Sequence, residues 1–327
     1  MRWSDVCHAA PVSDAGDTAI PAPSPRDEGR HAPAGEDLWG ESWYFDFAAP
    51  DASVGGYVRL GLYPNLGVAW YWGCLVEEGA PLVTVIDHEV PLPASGSSLE
   101  IRTSGLWADH TCEEPLDHWS LGLEAFGLAI ENPADILHEA RGDLVPLGFE
   151  LDWDTDGGGY EYVVTPRYEI PCRVHGIVRR GDQDIEIDAV GQRDHSWGVR
   201  DWWQFDWVWV ALHLDDGTHL FLNEVRLPGL TWHTGYVQDP SRGASLFDEA
   251  EVVERPSDDG LVAGLDLRFA GLSARVVPVA WAPLPLVAPD GRRSDMLRAL
   301  SRVELDDGRS GVGWIELNRV HGLTDHS

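Results

Sequence analysis

The chain has 327 residues, and its 55 acidic side chains outnumber the 23 basic ones to give a formal net charge of −32. A surface this negative repels nucleic acid and anionic membranes, so we expect neither as a partner. All 23 basic residues are arginines, and the absence of lysine excludes Schiff-base chemistry and lysine-dependent phosphate loops.

The sequence contains no segment of the kind that targets or anchors a protein. Its N-terminus has no apolar run behind a basic start, and no apolar stretch reaches the roughly 18 residues that a membrane helix needs. The cysteines Cys7, Cys74, Cys112 and Cys172 are scattered without a Cys-x-x-Cys pair, which argues against disulfides or a cysteine zinc site. We therefore expect a cytoplasmic protein with no integral membrane segment, no cofactor and no metal.

Composition predicts a disordered tail over residues 1–34, which are rich in Ala, Pro, Asp, Gly and Ser without apolar periodicity. From Leu38 onward, short apolar or alternating segments recur with turn residues between them, which is typical of antiparallel β-structure. The predicted strands are 43–47, 56–63, 68–75, 82–86, 98–103, 119–129, 148–153, 160–166, 172–179, 184–190, 203–214, 219–225, 231–238, 245–254, 264–269, 272–279, 301–305 and 311–318. Only residues 133–141 are predicted to be helical, because Pro133 stands at the start and Gly142 follows the end.

The number of predicted strands is too large for one pair of sheets, so the sequence predicts an all-β protein with two antiparallel barrel or sandwich domains. No linker marks the boundary, which we place between residues 165 and 190. Drawn at residue 180, it gives an N-terminal domain over 35–180 and a C-terminal domain over 181–327. The C-terminal domain would carry the segment on which the functional hypothesis rests.

That segment is Gly191–Trp209, which reads GQRDHSWGVRDWWQFDWVW and holds six ionisable side chains and five of the sixteen tryptophans. We predict a loop leading into a hairpin formed by 203–214 and 219–225. Charged groups beside bulky indoles need partners or change their pKa values. Indoles at Trp207 and Trp209 could equally be ordinary core residues of a strand.

The candidate catalytic pair is Asp194, as a buried acid, with His195 orienting it or accepting the final proton. A tryptophan wall could stabilise a substrate cation by about 1–2 kcal/mol for each ring. The candidate substrate-binding residues are Trp197, Trp202, Trp203, Trp207, His219, Asn223 and Glu316. For His219 a structural role, and for Glu316 a solvated one, is the commoner outcome.

Three further charged residues, Arg193, Arg200 and Asp201, are predicted to be structural. Either arginine could hold Asp194 ionised through a bidentate pair, and an ionised Asp194 could not act as the acid. A metal site from His110, Cys112 and His118 is not expected, because their spacing fits no known site.

The motif Asp194-His195-Ser196-Trp197-Gly198, together with the terminal segment 311–316 and the N-terminal segment 43–46, resembles the carotenoid 1,2-hydratase (hydroxyneurosporene synthase) and AttH-like group. The resemblance implies two lipocalin-like β domains packed together, with Asp194 in the position of the residue thought to protonate an alkene. This sequence departs from the pattern at Ser196 and in its flanking arginines. Fungal Diels–Alderases and some noncanonical terpene cyclases are similar in architecture, so the resemblance implies a fold better than a substrate.

The leading functional hypothesis is acid-assisted hydration, cyclisation or isomerisation of a hydrophobic terpenoid or polyketide-like small molecule. Admission of one water to the pocket would give a hydratase, and its exclusion would give a cyclase or isomerase. The alternatives are a noncatalytic carrier of lipophilic ligands, a pericyclic cyclase, and a structural ion-pair network that joins the two domains. The sequence leaves the oligomeric state open.

Overall fold

The structure is a computed structural model, and it describes residues 22–94, 96, 98–163 and 165–322. These residues form 21 strands and two short 3-10 helices, Pro25–Glu28 and Pro133–Leu137. The strands are β1 Trp39–Ala48, β2 Val54–Tyr63, β3 Val68–Glu77, β4 Leu82–Pro91, β5 Ile101–Thr103, β6 Leu106–Glu114, β7 His118–Ile130, β8 Asp143–Thr155, β9 Tyr160–Glu161, β10 Arg167–Arg180, β11 Gln183–Val199, β12 Asp206–Leu214, β13 His219–Leu227, β14 Leu230–Asp239, β15 Gly243–Phe247, β16 Ala250–Pro256, β17 Val262–Phe269, β18 Leu272–Trp281, β19 Leu284–Val287, β20 Arg293–Leu305 and β21 Ser310–Val320. The predicted all-β fold is confirmed. In the part of the chain described here, no helix is long and apolar enough to cross a bilayer.

The first sheet contains β1 to β11 in the antiparallel order β4-β3-β2-β1-β11-β10-β8-β7-β6-β5, with β9 beside β10. Strand β4 also pairs with β7, from Leu82 opposite Ile130 to Thr84 opposite Leu128, so the sheet curls round and closes on itself. Alternate side chains of each strand point inward and fill the interior with apolar and aromatic groups. The largest of them include Trp43, Phe45, Phe47, Trp119 and Trp153.

The second sheet contains β12 to β21 in the order β15-β14-β13-β12-β21-β20-β18-β17-β16, with β19 beside β20. It packs against the outer face of the first sheet along β1. There the indole Nε1 of Trp314 donates a hydrogen bond to the carbonyl oxygen of Phe47 at 2.9 Å, and the Trp314 ring meets the edge of Tyr57. Strand β1 is therefore covered on both faces, which explains why nearly all of its residues are buried.

The chain passes from the first sheet to the second between Val199 and Asp206, since β11 belongs to the first sheet throughout. The sequence placed the boundary after residue 180 and put the DHSWG motif in the C-terminal domain. Instead, the motif lies on β11, and the predicted loop is a strand. A strand buried on both faces shows no alternation of polar and apolar residues, so the sequence pattern did not indicate that this segment is a strand. The division into two domains stays a prediction.

The predicted helix over 133–141 is reduced to the single 3-10 turn Pro133–Leu137. Its buried residues are Ala134, Ile136 and Leu137; in an α-helix Ala134 and Ile136 would lie on nearly opposite sides, which disfavours burying both against one surface. Among the strands, β12 begins at Asp206 rather than at residue 203, the segment 245–254 is divided between β15 and β16, and β6 and β19 were not predicted.

The N-terminal segment before β1 packs into the first sheet. Glu28 is only 4% exposed, and its carboxylate pairs with Arg193 at 2.9 Å and accepts hydrogen bonds from the Trp119 indole at 3.0 Å and the Tyr168 hydroxyl at 2.8 Å. The predicted disordered tail covered residues 1–34. Residues 1–21 lie outside the described part, but residues 22–34 form ordered structure, so the ordered chain begins earlier than the composition indicated.

The variant Glu28→Ala should lower the free energy of unfolding by about 3–5 kcal/mol, because it leaves the Arg193 guanidinium buried without a partner. Urea denaturation followed by tryptophan fluorescence measures this loss. The control is Glu36→Ala at an exposed position of the same segment, where we expect a change within about 0.5 kcal/mol. Equal effects of the two substitutions would contradict a buried ion pair.

Candidate active site

Successive side chains of β11 point to opposite faces of the first sheet, so Asp194 faces the second sheet and His195 faces the interior. The strand register places Asp194 beside Tyr44 on β1 and beside Glu169 on β10. Tyr44 in turn lies beside Arg59 on β2, and Arg59 beside Trp72 on β3. These five residues form a line across the sheet that we call the first row.

A matching line crosses the second sheet. Trp209 on β12 lies between Asn223 on β13 and Glu316 on β21, and Glu316 lies beside Arg298 on β20. We call these four residues the second row. The two rows face each other, because the Arg298 guanidinium lies 4.6 Å from the centre of the Tyr44 ring.

The rows enclose a small cavity of about 30 Å³, roughly the share of one water molecule in the liquid. Its charged and aromatic lining consists of the arginines Arg59, Arg167, Arg200 and Arg298, the carboxyl groups of Asp194 and Glu316, and the rings of Tyr44, Trp202, Trp207 and Trp209. Of the residues predicted as catalytic or substrate-binding, Asp194, Trp202, Trp207 and Glu316 meet here. Arg200, predicted to be structural, is also part of the lining.

Arg167 joins the two carboxyl groups of the first row. Its Nη2 lies 2.8 Å from the Asp194 carboxylate and 2.7 Å from that of Glu169. Burial raises the pKa of Glu169 to about 7, although the Arg167 guanidinium opposes the rise. Burial alone would lower the pKa of Arg167, but Asp194 and Glu169 raise it well above its usual value. Two neighbouring buried carboxyl groups are thus bound to one guanidinium.

Each of the three residues predicted to be structural has a salt-bridge or hydrogen-bond partner other than Asp194. Arg193 points into the first sheet and pairs with Glu28. Arg200 donates from Nη2 to the Ser196 hydroxyl at 2.8 Å, and burial, with the guanidiniums of Arg167 and Arg59, lowers the pKa of Arg200 to about 10. Asp201 forms a partly exposed salt bridge with Arg292 at 3.0 Å.

His195 is not on the cavity side of β11. Its Nε2 lies 3.0 Å from the Glu41 carboxylate, and its ring stacks on Trp43 with the centres 4.4 Å apart. Trp197 lies on the same face and stacks on His31 at 3.8 Å. The structure therefore does not bring the imidazole of His195 or the indole of Trp197 to the cavity that Asp194 lines.

His31, Glu41 and His195 form the group of described residues with the geometry to hold a metal ion, since their ligand atoms lie within 4.8 Å of one another. Glu41 Oε1 lies 2.7 Å from His31 Nδ1 and 3.0 Å from His195 Nε2. Imidazole and carboxylate are common zinc ligands. The sequence analysis missed this cluster because His31 lies in the segment assigned to the tail.

Of the four predicted tryptophans, Trp202 and Trp207 line the cavity, whereas Trp203, like Trp197, does not. The Trp202 indole donates to the Tyr63 hydroxyl at 2.9 Å, and the Trp207 indole donates to Glu316 at 2.7 Å. The Trp203 indole instead donates to the carbonyl oxygen of Leu286, so this ring anchors the turn between the sheets.

Glu316 is the best placed of the candidates outside the motif, because it lines the cavity and forms a buried salt bridge with Arg298. Asn223 belongs to the second row but is not part of the cavity lining. His219 lies at the start of β13, where its Nδ1 is 2.9 Å from His213 Nδ1. The structure does not bring His219 to the cavity.

Several cavity residues were not among the predicted site residues. Ser42, Tyr44, Arg59, Arg167 and Arg298 lie on strands far from the motif in sequence, whereas Ser196 belongs to the motif and Trp209 ends the segment that carries it. One signal was available: Arg59 and Arg298 interrupt strands that are otherwise almost wholly buried, and a charge in such a strand needs a buried partner.

Asp46 lies two residues from Tyr44 on the same face of β1 and accepts a hydrogen bond from the Tyr44 hydroxyl at 2.9 Å. It also accepts one from the backbone N–H of Gln192 at 2.7 Å. Burial nevertheless raises the pKa of Asp46 to about 8. The Asp46 carboxyl group therefore holds the hydroxyl of Tyr44, and burial favours its protonated form.

A second, larger cavity of about 710 Å³ lies elsewhere, along β5 to β8 and β10 of the first sheet. Its lining includes Leu106, Trp107, Phe126 and Leu147. None of the residues predicted from the sequence as a site residue lines it.

The contribution of Asp46 to the free energy of unfolding should fall as pH rises from about 4 to about 8. The raised pKa means that the folded state keeps a proton that the unfolded state, with a pKa near 3.8, has released. The variant Asp46→Asn removes this titration, so its free energy of unfolding relative to that of wild type should rise with pH over this range, as measured by urea denaturation at several pH values. Asp51→Asn at an exposed position serves as control, and identical pH profiles for wild type and Asp46→Asn would contradict the assignment.

The fold is similar to that of three solved structures. A putative AttH from Nitrosomonas europaea is 16% identical with a TM-score of 0.53, covering 94% of this chain and 98% of that one. Kievitone hydratase from Nectria haematococca is 12% identical with a TM-score of 0.58, covering 93% and 95%. CghA with Sch210972 is 14% identical with a TM-score of 0.50, covering 93% and 95%.

At these identities the likeness establishes the fold. The fold that the resemblance implied is supported, whereas the resemblance to carotenoid 1,2-hydratase specifically stays a prediction. A search of curated protein sequences finds no match. A family model, however, matches residues 24–321, and the chain therefore belongs to the family described as domain of unknown function DUF7064.

Proposed function

We propose that the protein is an enzyme that hydrates, cyclises or isomerises a polyketide-like small molecule by acid–base catalysis in the cavity between the two rows. One observation carries the proposal: Asp194, which lines the cavity, shares Arg167 with the buried carboxyl group of Glu169. The reaction classes are those of the sequence hypothesis, and the printed name of one structural neighbour, kievitone hydratase, agrees with the first of them.

The Asp194 and Glu169 pair is suited to hold one proton and release it. The two carboxyl groups lie opposite each other on neighbouring strands, and their mutual repulsion together with burial opposes the state in which both are ionised. The pKa of Glu169 near 7 is consistent with a proton held close to neutrality. Asp194 passes the proton to or from the substrate because it alone of the two lines the cavity, and Arg167 stabilises the carboxylate that remains.

The four arginines of the lining argue against a carbocation intermediate. A guanidinium about 5 Å away raises the energy of a positive charge by about 3 kcal/mol at an effective dielectric constant near 20. This repulsion exceeds the roughly 1–2 kcal/mol by which one indole ring stabilises a cation. The same arginines favour a reaction in which negative charge develops on a substrate oxygen. An oxygenated, polyketide-like substrate therefore suits this cavity better than a terpenoid hydrocarbon.

The volume of about 30 Å³ accommodates only the reacting group of such a substrate. The proposal therefore requires the cavity to widen as the rest of the molecule enters. Trp202 and Trp207 line the cavity and offer apolar surface next to the reacting group.

Noncatalytic binding of a lipophilic ligand remains as a second candidate, supported by the larger cavity along β5 to β8. Ligand sites commonly measure about 300–1,000 Å³, and its volume of about 710 Å³ lies in that range. Leu106, Trp107, Phe126 and Leu147 give it an apolar lining. A carrier function would be located there rather than at the cavity between the rows.

The variant Asp194→Asn should lower product formation by at least about 100-fold, because the amide cannot exchange a proton with the substrate. Purified protein is incubated with kievitone and with panels of polyketides and of prenylated and polyene lipids. Mass spectrometry then detects a gain of one water or an isobaric product. Asp201→Asn, in the same stretch of chain but outside the cavity, should retain wild-type turnover.

Circular dichroism of both variants shows whether each is folded. Unchanged turnover in a folded Asp194→Asn protein would remove Asp194 from the mechanism. Quenching of tryptophan fluorescence by compounds that are all recovered unchanged would favour the carrier instead.

A further inference from the structure

Arg59 is a buried cation that forms no salt bridge with any carboxylate of the described residues. It is 5% exposed, lines the cavity, and its Nη1 has no hydrogen-bond partner within the described residues. Its guanidinium is held by aromatic rings, at 4.4 Å from the centre of Trp72 and 5.0 Å from that of Trp202. Stacking fixes the plane of the group and leaves its N–H edge free to bind a ligand.

Gly61 makes room for this guanidinium. A Cβ atom at position 61 would lie 2.5 Å from Arg59 Nη1, closer than non-bonded atoms can approach. Any larger residue there would displace the end of the Arg59 side chain. The position of the Arg59 guanidinium is therefore set by the rings of Trp72 and Trp202 and by the space at Gly61.

The charges around the cavity do not balance. Arg167 is matched by Asp194 and Glu169, and Arg298 is matched by Glu316. Arg200 has a hydroxyl, that of Ser196, as its hydrogen-bond acceptor. Together with Arg59 it gives the cavity an excess of positive charge, in a chain whose formal net charge is −32.

We propose that Arg59 and Arg200 bind an anionic oxygen group of the ligand, a carboxylate or an enolate, carried by a molecule with an apolar body. Guanidinium groups bind such planar anions through paired N–H donors. The cavity volume of about 30 Å³ suits a single group of this size. That this ligand is also the substrate rests on the proposed function, whereas the anion site itself does not.

The test measures binding without turnover. Formate probes the anion site alone, and the matched pair farnesoic acid and farnesol shares one apolar body with and without the carboxylate. Tryptophan fluorescence reports binding, since Trp72 and Trp202 stack on Arg59. We expect a saturable response to formate and at least about tenfold tighter binding of farnesoic acid than of farnesol.

Arg59→Gln should abolish the formate response and the preference for the acid, while the affinity for farnesol stays unchanged. Gly61→Ala keeps every charge but displaces the guanidinium, so it should weaken the preference for the acid even if Arg59→Gln fails to fold. The control is Arg268→Gln, an exposed arginine on β17, which should bind like wild type.

Equal affinity for farnesoic acid and farnesol would overturn the inference. So would the absence of a saturable response both to formate and to farnesoic acid. The outcomes separate it from the proposed function. Selective binding of acids with no product in any incubation would refute the enzyme and leave the anion site standing. Turnover of neutral compounds with no preference for acids would refute the anion site and leave the enzyme standing.

Discussion

Arg167 bridges two carboxyl groups that the strand register forces together, and the site between the sheets depends on this bridge. Asp194 and Glu169 lie directly opposite each other on β11 and β10, where like charges repel. Arg167 lies two residues before Glu169, so its side chain points to the same face and reaches both. The Trp209 indole completes the arrangement by donating a hydrogen bond from the second sheet to Glu169 at 3.1 Å. Without the Arg167 guanidinium, the two carboxyl groups would lie side by side in a buried site with no cation bridging them.

The charge of the cavity lining differs from that of the chain as a whole. Acidic residues dominate the composition, yet four arginines line the small cavity between the rows. Because the interior screens charge poorly and water screens it well, the nearby guanidiniums outweigh the distant surface acids inside the cavity. A protein that repels anions at long range can thus still bind one locally. The small volume limits that binding to a group that sheds its water and meets the N–H donors directly.

The sequence allowed prediction of the strand-rich architecture and the AttH-like fold, because these follow from local patterns and the motif. It could not place Arg59, Arg167 or Glu169 near Asp194, since cross-strand neighbours are set by register between strands far apart in the chain. The sequence also did not reveal that Asp194 and His195 point to opposite faces, because the whole segment was taken as a loop. As a strand buried on both faces, it sends adjacent residues in opposite directions.

The ion pair between Glu28 and Arg193 constrains when the first sheet can complete its folding during synthesis. Glu28 is among the first residues that the structure describes, and its ion-pair partner Arg193 follows 165 positions later. On the ribosome, the early part of the first sheet therefore emerges with this acid unmatched, and its interior cannot be sealed until β11 has been synthesised. The first sheet therefore closes late in synthesis, because the segment that carries Glu28 can be neutralised only after β11, the last strand of the sheet, has emerged.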